Sequence, residues 1–164
     1  LKLLANERDY YGFLAVGKLS IKYNIGHRSL PEDLVECQKI SEKPAIMRAW
    51  ELYHLGMTYS ARREWHHAFN DMTSYQLQIA AAIATNWGWH DRTILILGKA
   101  RTYDDLIMRF PLAYENTIKS NVNKQDLGLS LTYALTRAES TFVENIRSPA
   151  GALGLMQVMP ATGR

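Results

Sequence analysis

"LTYALTRAESTFVENIRSPAGALGLMQVMPATG", residues 131–163, is the stretch on which the reading of this chain turns. Its first part has helical spacing, with Leu131, Leu135, Ala138 and Phe142 in one narrow stripe. At the usual rotation per residue, Glu139 lies about 60° of arc from the middle of that stripe. That is the margin of the expected buried face, where a carboxylate can touch both core and cleft. Desolvation disfavours the charged form, so a half-buried carboxylate holds its proton more tightly. Such a group suits general acid catalysis near neutral pH. The plainer alternative is a solvated glutamate, or one paired with a base. Arg137 is only two residues away and points elsewhere on a helix; Arg147 is the base that could return through the loop.

The residues that follow strengthen the case for a site. Pro149 opens a loop in which Gly151 and Gly154 flank Ala152 and Leu153. Glycine permits backbone angles closed to other residues and a close approach to a partner. "LGLMQVM" reads as a short helix ended by Pro160, with Leu155 and Met159 in the core. Gln157 is its one strong hydrogen-bonding side chain, and an amide that both donates and accepts suits the hydroxyl and acetamide groups of a sugar. Glycosidases ordinarily use two carboxylates. Glu144, the nearest second acid, stands five residues on from Glu139 with no apolar frame, so a scheme with one carboxylate is better supported within this chain.

Upstream the chain is helix after helix, and the fold class is all-α. Residues 6–26 read as one helix with Tyr10, Phe13, Leu14, Gly17 and Ile21 near one face and Gly26 at its end. Pro31 followed by Glu32 and Asp33 is a helix-start signal within a polar linker, residues 27–43. From Pro44 the apolar residues recur at helical spacing through three segments ending near Trp87. Small residues such as Ala80, Ala81 and Ala84 let helices approach closely. Asp91 is a candidate cap for the next helix, and Pro111 stops the one after that. A new helix restarts at Asp126 or Gly128. Successive helices joined by short turns form antiparallel hairpins, and stacked hairpins form a solenoid, although no fixed repeat period is present.

Composition excludes several classes. The chain has 164 residues, 47% hydrophobic and 21% charged, which is ordinary for a globular protein with a core. A formal charge of +3 comes without any basic run, so no nucleic-acid footprint exists. Cys37 is the only cysteine, which rules out an intrachain disulfide and a cysteine-based metal site. There is no apolar run of about 18 residues to span a membrane. The start, "LKLLANERDY", has neither an initiator Met nor the apolar run of a signal peptide, and both ends read as cut from something longer.

Other clusters carry less. His66 and His67 are adjacent and diverge on a helix, and His27, His54 and His90 stand alone, so no metal site is expected. Ser140 lacks the Gly-x-Ser-x-Gly elbow of a hydrolase nucleophile. Arg62 and Arg63 read as a solvated face or as ion pairs between domains. Trp50, Trp65, Trp87 and Trp89 could stack on sugars, but the helical setting places at least two of them in the core.

The motifs Glu139-Ser140, Ser148-Pro149-Ala150-Gly151, Gly154-Leu155-Met156-Gln157 and Pro160-Ala161-Thr162 closely resemble the first catalytic motifs of the large soluble periplasmic lytic transglycosylases. "ARREWHHAF" and "RFPLAY" resemble the linker region of that family. The resemblance implies a helical superhelix ending at 1–41, a helical linker domain at 42–110, and the first part of a lysozyme-like catalytic domain at 111–164. It also implies non-hydrolytic cleavage of the MurNAc–GlcNAc β-1,4 bond of peptidoglycan. Glu139 would act as acid and then as base, without a cofactor, to leave a 1,6-anhydro-muramoyl end. Ser140 would orient the glutamate or the sugar, and Gly154, Met156 and Gln157 would line the glycan groove. The implied location is the periplasm, loosely associated with the outer membrane or cell wall, with other cell-wall enzymes as further contacts. The family's later motifs, an Ala-Tyr-Asn-x-Gly segment and a downstream Tyr, have no counterpart before Arg164. About two-thirds of the catalytic domain therefore falls outside this chain. A non-catalytic helical scaffold and a hydrolysing muramidase are the alternatives.

Overall fold

Capping side chains mark out the helices. In the computed structural model, which describes residues 1–125 and 127–163, a 3-10 turn at Leu4–Asn6 precedes α1 (Tyr10–Leu19) and α2 (Leu34–Ser41). Two longer pairs follow, α3 (Pro44–His54) with α4 (Thr58–His67), and α5 (Ser74–Asn86) with α6 (His90–Lys99). The short α7 (Leu106–Arg109) leads to α8 (Glu115–Gln125) and α9 (Leu129–Ser140). Asp9, Asp33 and Asp105 each accept a backbone N–H in the first turn of the helix they precede. Thr73 and Gln76 form a reciprocal capping box on α5, and Pro44 opens α3. The all-α expectation is met.

The main core lies where the α3–α4 and α5–α6 hairpins meet. Ala80, Ala81 and Ala84 are buried on α5 and let α6 pack close, bringing Ile96 and Leu97 inside. Trp65 is 1% exposed and touches Phe69, Trp87 and Trp89 at ring-centroid distances of 5.3, 4.8 and 5.5 Å. Trp65 and Trp89 thus belong to the core, whereas Trp50 is exposed. Arg62 pairs with Asp91, itself buried, and Arg63 is exposed.

Several local expectations are corrected. The first helix is shorter than 6–26, because Ser20 turns left-handed at φ 52° and its N–H closes back on Gly17 and Val16. Its buried residues are Gly12, Ala15 and Val16, so the face of Tyr10, Phe13, Leu14 and Ile21 is exposed. Gly12 is there for space: a Cβ would sit 2.0 Å from the Glu7 carbonyl oxygen. Gly26 lies outside any helix, at φ 57°, and ends none. Asp91 does not cap α6, whose N-cap is Trp89; it sits in the first turn and accepts from Arg62 and Arg92. The helix signalled by Pro31, Glu32 and Asp33 starts later than they imply, at Leu34 with Asp33 as its N-cap and Pro31 outside it, whereas α9 restarts after Gly128 as expected. Asp126, the other candidate start, lies outside the described residues.

Candidate active site

A ladder of hydroxyls runs along one face of α9. Thr132, Thr136 and Ser140, four residues apart, each donate to the carbonyl four residues earlier: Gly128 at 3.2 Å, Thr132 at 2.9 Å and Thr136 at 3.0 Å. Thr136 and Ser140 are buried, and theirs is the face that α9 presents to the rest of the chain. The apolar stripe is on the other side. Leu131 is 61% exposed and Leu135 43%; only Phe142 of that set is buried. Helical periodicity named the residues that share a face but assigned the wrong face to the interior, because no described segment packs over Leu131 and Leu135.

This corrects the expected setting of Glu139. Its side chain is exposed and accepts no hydrogen bond or ion pair among the described residues, so Arg147 does not reach it. The half-buried setting expected for the carboxylate is not supplied by these segments. Ser140, by contrast, is buried at 3% exposure. Its Oγ donates to Thr136 O and accepts from the Phe142 N–H at 3.1 Å, so it ties off the helix end that carries Glu139.

Immediately after this pair the chain reverses through two strained residues. Thr141 and Phe142 have φ of 51° and 65°, left-handed values that cost on the order of 1 kcal/mol or more for residues with a Cβ. The conformation is held from several directions. Val143 N–H bonds Ser140 O at 3.1 Å, and the Tyr114 hydroxyl donates to Phe142 O at 3.2 Å.

The Gly-rich segment then folds back as a small hairpin and not as a helix. Leu153 and Val158 exchange both backbone hydrogen bonds, at 3.0 and 3.1 Å, around a four-residue turn closed by Gln157 N–H on Gly154 O. Gly154 at φ 71° and Gln157 at φ 47° are incompatible with a right-handed helix, which is why the expected short helix is absent. Gln157 also differs from expectation: its Nε2 donates to Ile146 O at 3.3 Å and Gly154 O at 2.9 Å, fixing the turn and leaving only Oε1 toward a ligand. Met159 is exposed and Leu155 half-buried, so neither is a core residue here. Met156 joins the turn to α9, its Sδ lying 3.1 Å from Thr136 Oγ1. The sequence-predicted residues therefore come together as a helix end and a turn fastened by Thr136, a residue that sequence reasoning passed over.

Beside this assembly lies a cavity of about 510 Å³ between α3, α4, α6 and residues 142–147. Tyr53, Arg62, His90, Asp91, Tyr114 and Glu144 line it. Burial, and then the neighbouring Glu144, push the Tyr114 phenol up to about 12. Burial lowers the His90 imidazole, against the opposing pull of Asp91. Asp91 is 7% exposed and is held by Arg62 at 3.0 Å and Arg92 at 2.8 Å. Glu144, ranked low for lack of an apolar frame, is thus part of a polar cleft that only the fold assembles.

Comparison with known proteins agrees with this architecture. Residues 39–106 match the family model of the soluble lytic murein transglycosylase L domain, and residues 116–164 match that of the transglycosylase SLT domain. The soluble lytic murein transglycosylase of Escherichia coli K12 is 28% identical over 162 residues, 99% of this chain and 25% of that protein. A putative soluble lytic murein transglycosylase of Haemophilus influenzae is 26% identical over 165 residues, which is 28% of its length. Among solved structures, an inactive mutant of the lytic transglycosylase Slt from Pseudomonas aeruginosa superposes with a TM-score of 0.92 at 37% identity, covering 98% of this chain and 26% of that one. The 70 kDa soluble lytic transglycosylase of E. coli gives 0.89 at 27% identity, with the same coverages. The chain thus spans about a quarter of the length of the relatives it matches. With two adjoining family matches, a fold shared along nearly its whole length, and the Glu-Ser helix end fastened to its Gly-rich turn, this chain belongs to the soluble lytic transglycosylase family.

Proposed function

We propose that this chain is the part of a peptidoglycan-cleaving lytic transglycosylase in which the catalytic domain begins. In this reading 1–41 close a superhelical domain, 42–110 form the linker domain, and 111–164 open the lysozyme-like domain. Glu139 protonates the glycosidic oxygen between MurNAc and GlcNAc. The C1–O bond breaks as the MurNAc N-acetyl oxygen bonds to C1, giving an oxazolinium intermediate. The C6 hydroxyl then attacks C1, the C1–O bond of the oxazolinium ring breaks to restore the N-acetyl group, and the hydroxyl proton passes to the Glu139 carboxylate, which restores the acid and leaves a 1,6-anhydro end. One group serves both proton transfers, so no second carboxylate and no water are needed. Ser140 holds the helix end, while Gly154, Met156 and the free Oε1 of Gln157 face the glycan.

The observation that carries this reading is the fastening of the α9 end to the 154–157 turn through Thr136 and Met156. It brings the acid and the glycan-facing turn onto one body. The exposure of Glu139 implies that further catalytic-domain segments of the parent protein dry the carboxylate and that this chain by itself turns over no substrate. Bulgecin A, bound in a solved complex of a 70 kDa soluble lytic transglycosylase, is a ligand to be tried on the parent. The location is the periplasm, at the cell wall or the inner side of the outer membrane, where other cell-wall enzymes are contacts.

Digestion of purified peptidoglycan by the full-length parent, read by mass spectrometry, tests the proposal. Anhydro-muramoyl ends are expected, with a loss of at least about a hundredfold in Glu139→Gln. Reducing ends would mean a hydrolase, and near-normal turnover by the Gln variant would remove Glu139 from the mechanism.

A further inference from the structure

Arg137 stands two residues before Glu139 on α9 and reaches across to a different body. Its Nε donates to the carbonyl of Arg109 at 2.7 Å, and its guanidinium carbon lies 4.6 Å from the centroid of the Phe110 ring. Arg109 in turn lies over Tyr103 at 4.7 Å, so cations and rings alternate along this seam. The carbonyl of Arg109 ends α7, where helix carbonyls lack partners within the helix and a cation is favoured.

The anchor on that side is rigid. Asp105, 3% exposed, caps α7 by accepting from Met108 N–H at 3.0 Å and also takes the Leu30 N–H at 3.0 Å. α7 packs on α5 and α6, so the accepting carbonyl moves with the main core. On the other side, the hydroxyl ladder of α9 and the Ser140 tie make Glu139 turn with the helix as one piece. Arg137 is half-buried, and burial together with the nearby Arg109 lowers its basicity. Arg109 and Phe110 fall between the two stretches that match family models.

We propose that Arg137 is a positioning residue, a latch whose planar guanidinium, bonded to Arg109 and stacked on Phe110, sets the rotation of α9 relative to the main helical core and with it the direction of the Glu139 carboxylate. The proposal rests on the reading of Glu139 as the acid. It acts only through Glu139 and touches no substrate. A lysine keeps the charge but has no planar fork to stack and bond at once. Small misplacements of a reacting group are costly in rate, up to about a hundredfold for about 1 Å.

The test uses the full-length parent with Arg137→Lys, Phe110→Leu and the double variant. Arg137→Lys is expected to lower kcat about tenfold, with KM within about twofold and the melting temperature within about 2 °C. The double variant is expected to be no slower than Arg137→Lys, since either change opens the same latch. Unchanged kcat, or a fall in kcat that follows a loss of folded protein, overturns the proposal. A second readout does not depend on activity. Spin labels at Ile107→Cys and Ser130→Cys, with other cysteines replaced, are expected to give one narrow distance distribution that broadens in Arg137→Lys. An unaltered width overturns the latch. If the unaltered parent makes no anhydro ends, the reading of Glu139 falls, and the distance measurement decides the latch by itself.

Discussion

Replacing Trp65 by Ala and by Phe separates packing from polarity at the centre of the core. Trp65 is 1% exposed, surrounded by Phe69, Trp87 and Trp89, and its indole Nε1 is buried with no hydrogen-bond partner among the described residues. Truncation to Ala removes the whole ring from a site closed by alanine-rich helices that cannot collapse onto it, at a cost of about 3–5 kcal/mol. Phe keeps one ring against the three aromatic neighbours and leaves a smaller void, worth roughly 1–2 kcal/mol. It also removes the unsatisfied donor, whose desolvation costs about 1–3 kcal/mol. The two nearly cancel, so Trp65→Phe is expected within about 1 kcal/mol of the parent residue. Urea titration followed by circular dichroism measures both. In melting temperature the Ala variant loses roughly 6–20 °C, at about 2–4 °C per kcal/mol for a chain of this size. If Phe costs as much as Ala, the unpaired donor is no burden and the reasoning fails.

Thr141→Gly is expected to stabilise the chain by about 1 kcal/mol in denaturant titration, because Gly occupies φ 51° without the strain of a β-branched residue; a loss of stability would mean that the Thr side chain has a packing role that outweighs it. Tyr114 gives a pH dependence. Its folded-state pKa of about 12 lies above the ordinary value of 10.0, so its contribution is fully present below about pH 10 and is lost as pH rises through about 12. Denaturation of the parent and Tyr114→Phe between pH 9 and about pH 12 should show this component only in the parent.

Much of the helix layout was legible because its signals are local. Pro44 at the start of α3, Gly128 before α9 and Pro111 after α7 act through neighbouring backbone, and each stands where the sequence implied. The residues of the candidate site were legible as a string of motifs. Their geometry was not. Gln157 reads as a ligand-facing amide until the fold shows its nitrogen on Ile146 and Gly154, and the burial of Ser140 at the helix end is visible only in the fold.

The amino-acid order alone determined the all-helical class, the helix boundaries at Pro44, Pro111 and Gly128, and the position of the one carboxylate on which the chemistry is proposed to rest. Tertiary structure alone decided that the polar face of α9 is the inward one, that residues 153–158 pair as a hairpin, and that Glu139 stays wet in this chain. The reason is physical. Caps, prolines and periodicity are properties of a few adjacent residues, whereas burial and strand pairing depend on which distant segment arrives to cover a face or exchange hydrogen bonds with it.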